Sequence, residues 1–142
     1  EMADYGVEKV PFDDLLEEAD HISIHAPLTD ETRHMFDRAA FERMSDTAVL
    51  VNVGRGGIVD EDALAWALEG DEIAAAGLDV IEDEPLTDSA LADRDDVILT
   101  PHTAFYSEES LTDLNEHVAS DIGAVLAGDE PAGYIDPEAD WL

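Results

Sequence analysis

The 142-residue sequence contains no cysteine, which excludes disulfides, thiolate nucleophiles and thiolate metal sites. Basic residues are almost as scarce. Lys9, Arg33, Arg38, Arg43, Arg55 and Arg94 stand against 37 acids, for a formal net charge of −31. So little positive charge leaves no face for nucleic-acid phosphates and none for an anionic membrane surface. No apolar run approaches the ~18 residues of a membrane span, and no signal-like start is present. H-E-x-x-H, calcium-loop and G-x-S-x-G patterns are missing, so neither a metal site nor serine-hydrolase chemistry is expected.

What is present describes a packed protein. Hydrophobic residues make up 45% of the chain, enough for one domain with a real core. The acids are spread along the chain rather than gathered in a tail, as expected of a cytoplasmic protein from a salt-rich interior, where screening relieves their repulsion. Five β-like runs, "VEKV" (7–10), "HISIH" (21–25), "AVLVNV" (48–53), "IAAAGLDV" (73–80) and "VILT" (97–100), alternate with helical patterns at 11–19, 37–44, 60–70 and 86–94. Such alternation predicts βαβ units and a mostly parallel sheet, its strands covered on both faces. Asp60 and Gly70 bracket one helix as cap and stop, and Ser107 opens a long helix ending before Gly128. A domain over 1–128 is followed by an irregular tail, 129–142, with Trp141 as a candidate docking residue. No G-x-G-x-x-G occurs, and "EMADYGVEKV" reads as the middle of an α/β unit, so the later part of a longer chain is expected.

Open parallel sheets bind ligands beyond the carboxyl ends of their strands. Those ends carry His25-Ala26-Pro27, Gly54-Arg55-Gly56-Gly57, Asp79 with Glu82, Asp83 and Glu84, and Pro101-His102. Arg55, between glycines, either forks onto a ligand carboxylate or pairs with an internal acid. His102 can exchange a proton near neutral pH, and Glu84, before Pro85, is one of several acids that could steady it. His21 and His25 do not suit a metal pair, and His34 and His117 are expected to face solvent.

Four stretches, "HAPLTDET", "LVNVGRGGIVDEDAL", "AGLDVIEDEP" and "ILTPHTAFYSEES", resemble the nucleotide-binding domain of the D-2-hydroxyacid dehydrogenases over roughly 12–128. The resemblance implies a partial Rossmann-type, doubly wound parallel sheet in three α/β/α layers, with NAD or NADP as cofactor. It implies Arg55, Glu84 and His102 as catalytic residues. Arg55 would hold the carboxylate of a 2-keto acid, and His102 with Glu84 would act as acid and base. Ala26, Pro27 and Thr32 would line the adenine side of the cofactor. Val53, Gly54, Arg55, Asp79, His102 and Ala104 would lie along its nicotinamide side. A homodimer is also implied. The competing expectation is a non-enzymatic module that senses dinucleotide or binds a protein, as in the corepressor branch of the same family.

Overall fold

The computed structural model describes residues 2–85 and 89–136. They fall into two compact units, Glu1–Ala104 and Phe105–Leu142.

The first unit is built on four parallel strands, β1 (His21–Ile24), β2 (Val49–Asn52), β3 (Ala75–Leu78) and β4 (Val97–Leu99). Their order in the sheet repeats their order in the chain. The register runs Ile24 to Asn52 to Leu78 to Leu99, so all four strands end at one edge. The helices are α1 (Phe12–Glu18), α2 (Arg38–Phe41) and α3 (Glu61–Glu69). Asp37 and Asp60 start α2 and α3 by accepting hydrogen bonds from Ala40 N and Ala63 N, both at 3.0 Å, which satisfies amides the first turn would otherwise leave unpaired.

The core lies between these helices and one face of the sheet. Leu16, Phe41, Leu64, Ala67 and Leu68 meet Ile22, Ile24, Leu50, Ala76 and Leu78. An edge-to-face contact between Phe12 and Phe36, centroids 5.3 Å apart, closes one end.

Three expectations need correction. Residues 7–10 form no strand; "VEKV" is apolar at only two positions, and its side chains are exposed. Residues 89–94 are turn and irregular backbone rather than helix, with Leu91 alone buried deeply enough to anchor them; 86–88 lie outside the described residues. The two faces of the strands are buried unequally within the first unit. β2 and β3 alternate half-buried with buried positions, and β1 alternates exposed with buried, because the described residues of this unit supply one helical layer.

The second unit contains α4 (Glu108–Ala127), with no buried side chain. Ser107 caps its start by accepting from Ser110 N at 3.0 Å, and Gly128 ends it at φ 85, a left-handed conformation that suits glycine. The tail turns back where the Asp121 carboxylate accepts from Ala132 N at 3.0 Å. Trp141 lies outside the described residues. No helix among the described residues is long and apolar enough to cross a membrane.

Candidate active site

Each strand hands its chain to the same edge of the sheet, and the polar groups there are organised by two buried side chains. Asn52 ends β2 and is fully buried. Its Nδ2 donates to the Arg55 carbonyl at 3.0 Å, and its Oδ1 accepts from Gly54 N at 3.0 Å. One side chain thus fixes both ends of the turn that presents Arg55. Gly54 is half-buried, and a Cβ there would come within 3.2 Å of the Ala26 carbonyl, so this turn packs closely on the end of β1. Nothing in the sequence pattern singles Asn52 out except that it is a lone amide at the end of an apolar strand.

Asp79, just past β3, is the second organiser. It is 6% exposed and accepts from Thr100 Oγ1, from Thr103 N at 2.8 Å and from Ala104 N at 2.8 Å. Burial pushes its carboxyl up, but these three hydrogen bonds outweigh burial and hold it below the usual carboxylate range. Asp79 thereby shapes the segment after β4, which carries His102. His102 itself sits at φ 53, in the left-handed region that non-glycine residues seldom occupy. Its N–H donates to the Asp79 carbonyl at 2.9 Å.

Glu84 comes to His102 from the loop after β3. Nδ1 of His102 lies 2.8 Å from Glu84 Oε2, while Ile81 N donates to Glu84 Oε1 at 3.4 Å. The hydrogen bond to His102 is the main reason the Glu84 carboxyl is held below its ordinary value. With Nδ1 committed to Glu84, the other ring nitrogen of His102 remains for a ligand. The sequence offered several acids for this place, and the geometry selects one.

Asp79, Ile81, Glu84, Pro85, Leu99, Thr100, Pro101 and His102 line a cavity of about 520 Å³. Its walls are apolar at Ile81, Pro85, Leu99 and Pro101, with an imidazole and carboxylates at fixed points. This combination suits a flat ring bearing a polar substituent, such as a nicotinamide, beside a small polar substrate. No G-x-G-x-x-G is present in this sequence to cradle a pyrophosphate.

The remaining expected residues lie along the same edge but outside that cavity. Arg55 is exposed and folds its Nη1 onto the Gly54 carbonyl at 2.8 Å; among the described residues it pairs with no carboxylate. Pro27 and Thr32 belong together, since Thr32 Oγ1 donates to the Pro27 carbonyl at 2.7 Å, with half-buried Ala26 beside them. Val53 is 37% exposed at the end of β2, and Ala104 is tied to Asp79 as described. His117 faces solvent as expected. His34 does so only in part: its side chain is 39% exposed, but its ring also comes within 2.8 Å of Glu82, a residue far along the chain that no local pattern reveals.

A parallel α/β sheet whose strand ends carry a locked carboxylate and a histidine–glutamate pair defines a nucleotide-binding type of domain. Comparison makes this specific. Residues 1–104 match the family model described as D-isomer specific 2-hydroxyacid dehydrogenase, NAD binding domain, and the chain belongs to that family. It is 45% identical over 134 residues to a glyoxylate reductase of Korarchaeum cryptofilum, covering 94% of this chain and 40% of that protein. It is 42% identical over 127 residues to a D-3-phosphoglycerate dehydrogenase of Mycobacterium leprae, covering 89% of this chain and 24% of the relative. Among solved structures, D-lactate dehydrogenase with NAD+ from Lactobacillus jensenii superposes with a TM-score of 0.82 at 35% identity, over 89% of this chain and 42% of that one. The chain thus spans two fifths or less of the length of these curated relatives.

Proposed function

We propose that this chain carries the nicotinamide-facing and acid/base part of an NAD-dependent D-2-hydroxyacid dehydrogenase, interconverting a 2-keto acid and its D-2-hydroxy acid. The observation that carries the reading is the His102–Glu84 contact at 2.8 Å, inside a cavity at the carboxyl edge of a parallel sheet. A bound nicotinamide dinucleotide supplies the hydride, or accepts it in the reverse direction. Asp79, Val53, Gly54 and Ala104 border its nicotinamide side, and Ala26, Pro27 and Thr32 its adenine side.

The chain's own residues handle the proton and the orientation. Glu84 holds Nδ1–H of His102 and so orients the ring, and Nε2 gives a proton to the substrate oxygen as negative charge develops there. In the oxidative direction the neutral ring takes that proton back. Arg55, whose guanidinium makes no ion pair among the described residues, swings from the Gly54 carbonyl to fork onto the substrate carboxylate. The relatives' names span glyoxylate, phosphoglycerate and lactate chemistry, which supports a small 2-keto acid as the substrate class. The net charge of −31 supports a salt-rich cytoplasm, and the resemblance supports a homodimer.

In the full-length protein that carries this segment, reduced-nicotinamide oxidation with glyoxylate, hydroxypyruvate or pyruvate tests the reading. His102→Gln is expected to lower kcat by roughly 10²–10⁴ while the dissociation constant for reduced nicotinamide stays unchanged. Turnover that survives this substitution overturns the acid/base assignment. Cofactor binding with no turnover on any keto acid favours the sensing module instead.

A further inference from the structure

Between the turn that presents Arg55 and the loop that presents Glu84 there is a second set of contacts, outside the cavity. Gly56 and Gly57 are buried, and a Cβ on Gly56 would sit 1.8 Å from the Ile81 carbonyl oxygen. Turn and loop therefore meet backbone to backbone, which only glycine permits. Glu61 and Glu82 lock the same place reciprocally. Glu82 N donates to Glu61 Oε1 at 2.6 Å, and Glu61 N donates to Glu82 Oε1 at 3.4 Å.

His34 joins this set from a third segment. Its N–H donates to the Gly57 carbonyl at 2.9 Å. Its Nε2 is buried and lies 2.8 Å from Glu82 Oε1, with no hydrogen bond aligned to any acceptor among the described residues. On the other side of the ring, Asp60 Oδ2 is 3.9 Å from Nδ1. The residue holds this place at φ 50, a left-handed backbone that costs a β-carbon residue energy and persists only where its surroundings enforce it. From Glu82 the connection continues through the adjoining peptide, since Ile81 N donates to Glu84, and Glu84 reaches His102.

We propose that His34 and Glu82 are positioning residues that clamp the Arg55 turn to the Glu84 loop and so fix the Glu84–His102 pair. Neither lines the cavity; both act through Glu84. The proposal rests on the acid/base reading of His102, and its test separates the two.

The variants are Glu82→Ala, Glu82→Gln and His34→Asn, made in the full-length protein. Asparagine tolerates the left-handed backbone, so His34→Asn removes the ring with little backbone penalty and covers the case in which Glu82→Ala fails to fold. In ¹⁵N-labelled protein, the proton that Glu84 holds on His102 Nδ1 gives a downfield resonance, assigned by its loss in His102→Gln. The resonance is expected to broaden or vanish in Glu82→Ala and His34→Asn and to be kept in Glu82→Gln. In parallel, kcat with a 2-keto acid is expected to fall about ten- to a hundredfold in the first two variants, with reduced-nicotinamide binding within about twofold. An unchanged His102 resonance in folded Glu82→Ala and His34→Asn overturns the clamp. A wild-type protein that shows the resonance, loses it in the variants and turns over no keto acid supports the clamp and counts against the acid/base reading. No such resonance in wild type overturns both.

Discussion

Three donors converge on Asp79, and they decide how this buried carboxylate behaves. Thr100 Oγ1, Thr103 N and Ala104 N all favour its charged form. Asp79→Asn turns one acceptor oxygen into an amide donor facing them and leaves a buried N–H unpaired, at a cost of about 1–3 kcal/mol. Folding lowers the carboxyl's pKa, so the unfolded chain binds more protons than the folded one as acid is added. The stabilisation from Asp79 is therefore complete above its ordinary pKa, near pH ~4, and drains away as pH falls through the lower folded value. Thermal melts of wild type and Asp79→Asn are expected to differ most at neutral pH and to converge below about pH 4. A gap that stays constant into acid would mean the charge of Asp79 is not what the donors hold. Glu84 follows the same sign, since its carboxyl is also held low.

At the scale of elements, α4 is the most exposed to local effects. It buries no side chain, so its stability leans on caps and first-turn charge more than on packing. Ser107 accepts from Ser110 N, and Glu108 and Glu109 sit in the first turn, where the helix dipole favours acids. Ser107→Ala is expected to cost about 1 kcal/mol, read as faster amide exchange over the first turn of α4, with Ser107→Asp restoring protection. Exchange unaffected by Ser107→Ala would show that the cap contributes nothing. The same local chemistry explains what could be read in advance. β1, β2 and β3 announce themselves through dense apolar runs, and α3 and α4 through Asp60, Gly70, Ser107 and Gly128, because a cap is a property of neighbours in sequence. "VEKV" misled because a short apolar pair becomes a strand only when another strand accepts it. The site divides similarly. Arg55 and His102 stand out by their settings, whereas Glu84 could not be told from the surrounding acids without its 2.8 Å approach to His102. Asn52 and His34 escaped because their partners are backbone atoms or distant acids.

At the scale of the whole molecule, charge dominates. Several of the few bases are already committed. Arg43 pairs with Asp13 and Glu17, Arg94 grips Asp96, and the Arg38 guanidinium lies 3.9 Å over the ring of Trp66. Most carboxylates thus face one another through solvent. Raising salt from 0.1 M to 1 M shortens the screening length from about 10 Å to about 3 Å, so the folded state gains as repulsion fades. Calorimetry in rising potassium chloride is expected to move Tm upward by roughly 5–10 °C. A flat or falling Tm would mean that self-repulsion does not limit this fold.

The order of the strands has a consequence for how the molecule is made. Because β1 to β4 lie side by side in the sequence in which they are translated, each new strand finds its neighbour already synthesised, and the sheet can grow from one edge during translation. Among the four strands β4 follows the others, with His102 after it. Asn52 and the Arg55 turn can be in place while the ribosome is still adding chain. Asp79, by contrast, waits for Thr100, Thr103 and Ala104 to fill its oxygens. A nascent chain arrested before residue 100 would hold β1 to β4 without His102 and without the donors that fill the oxygens of Asp79.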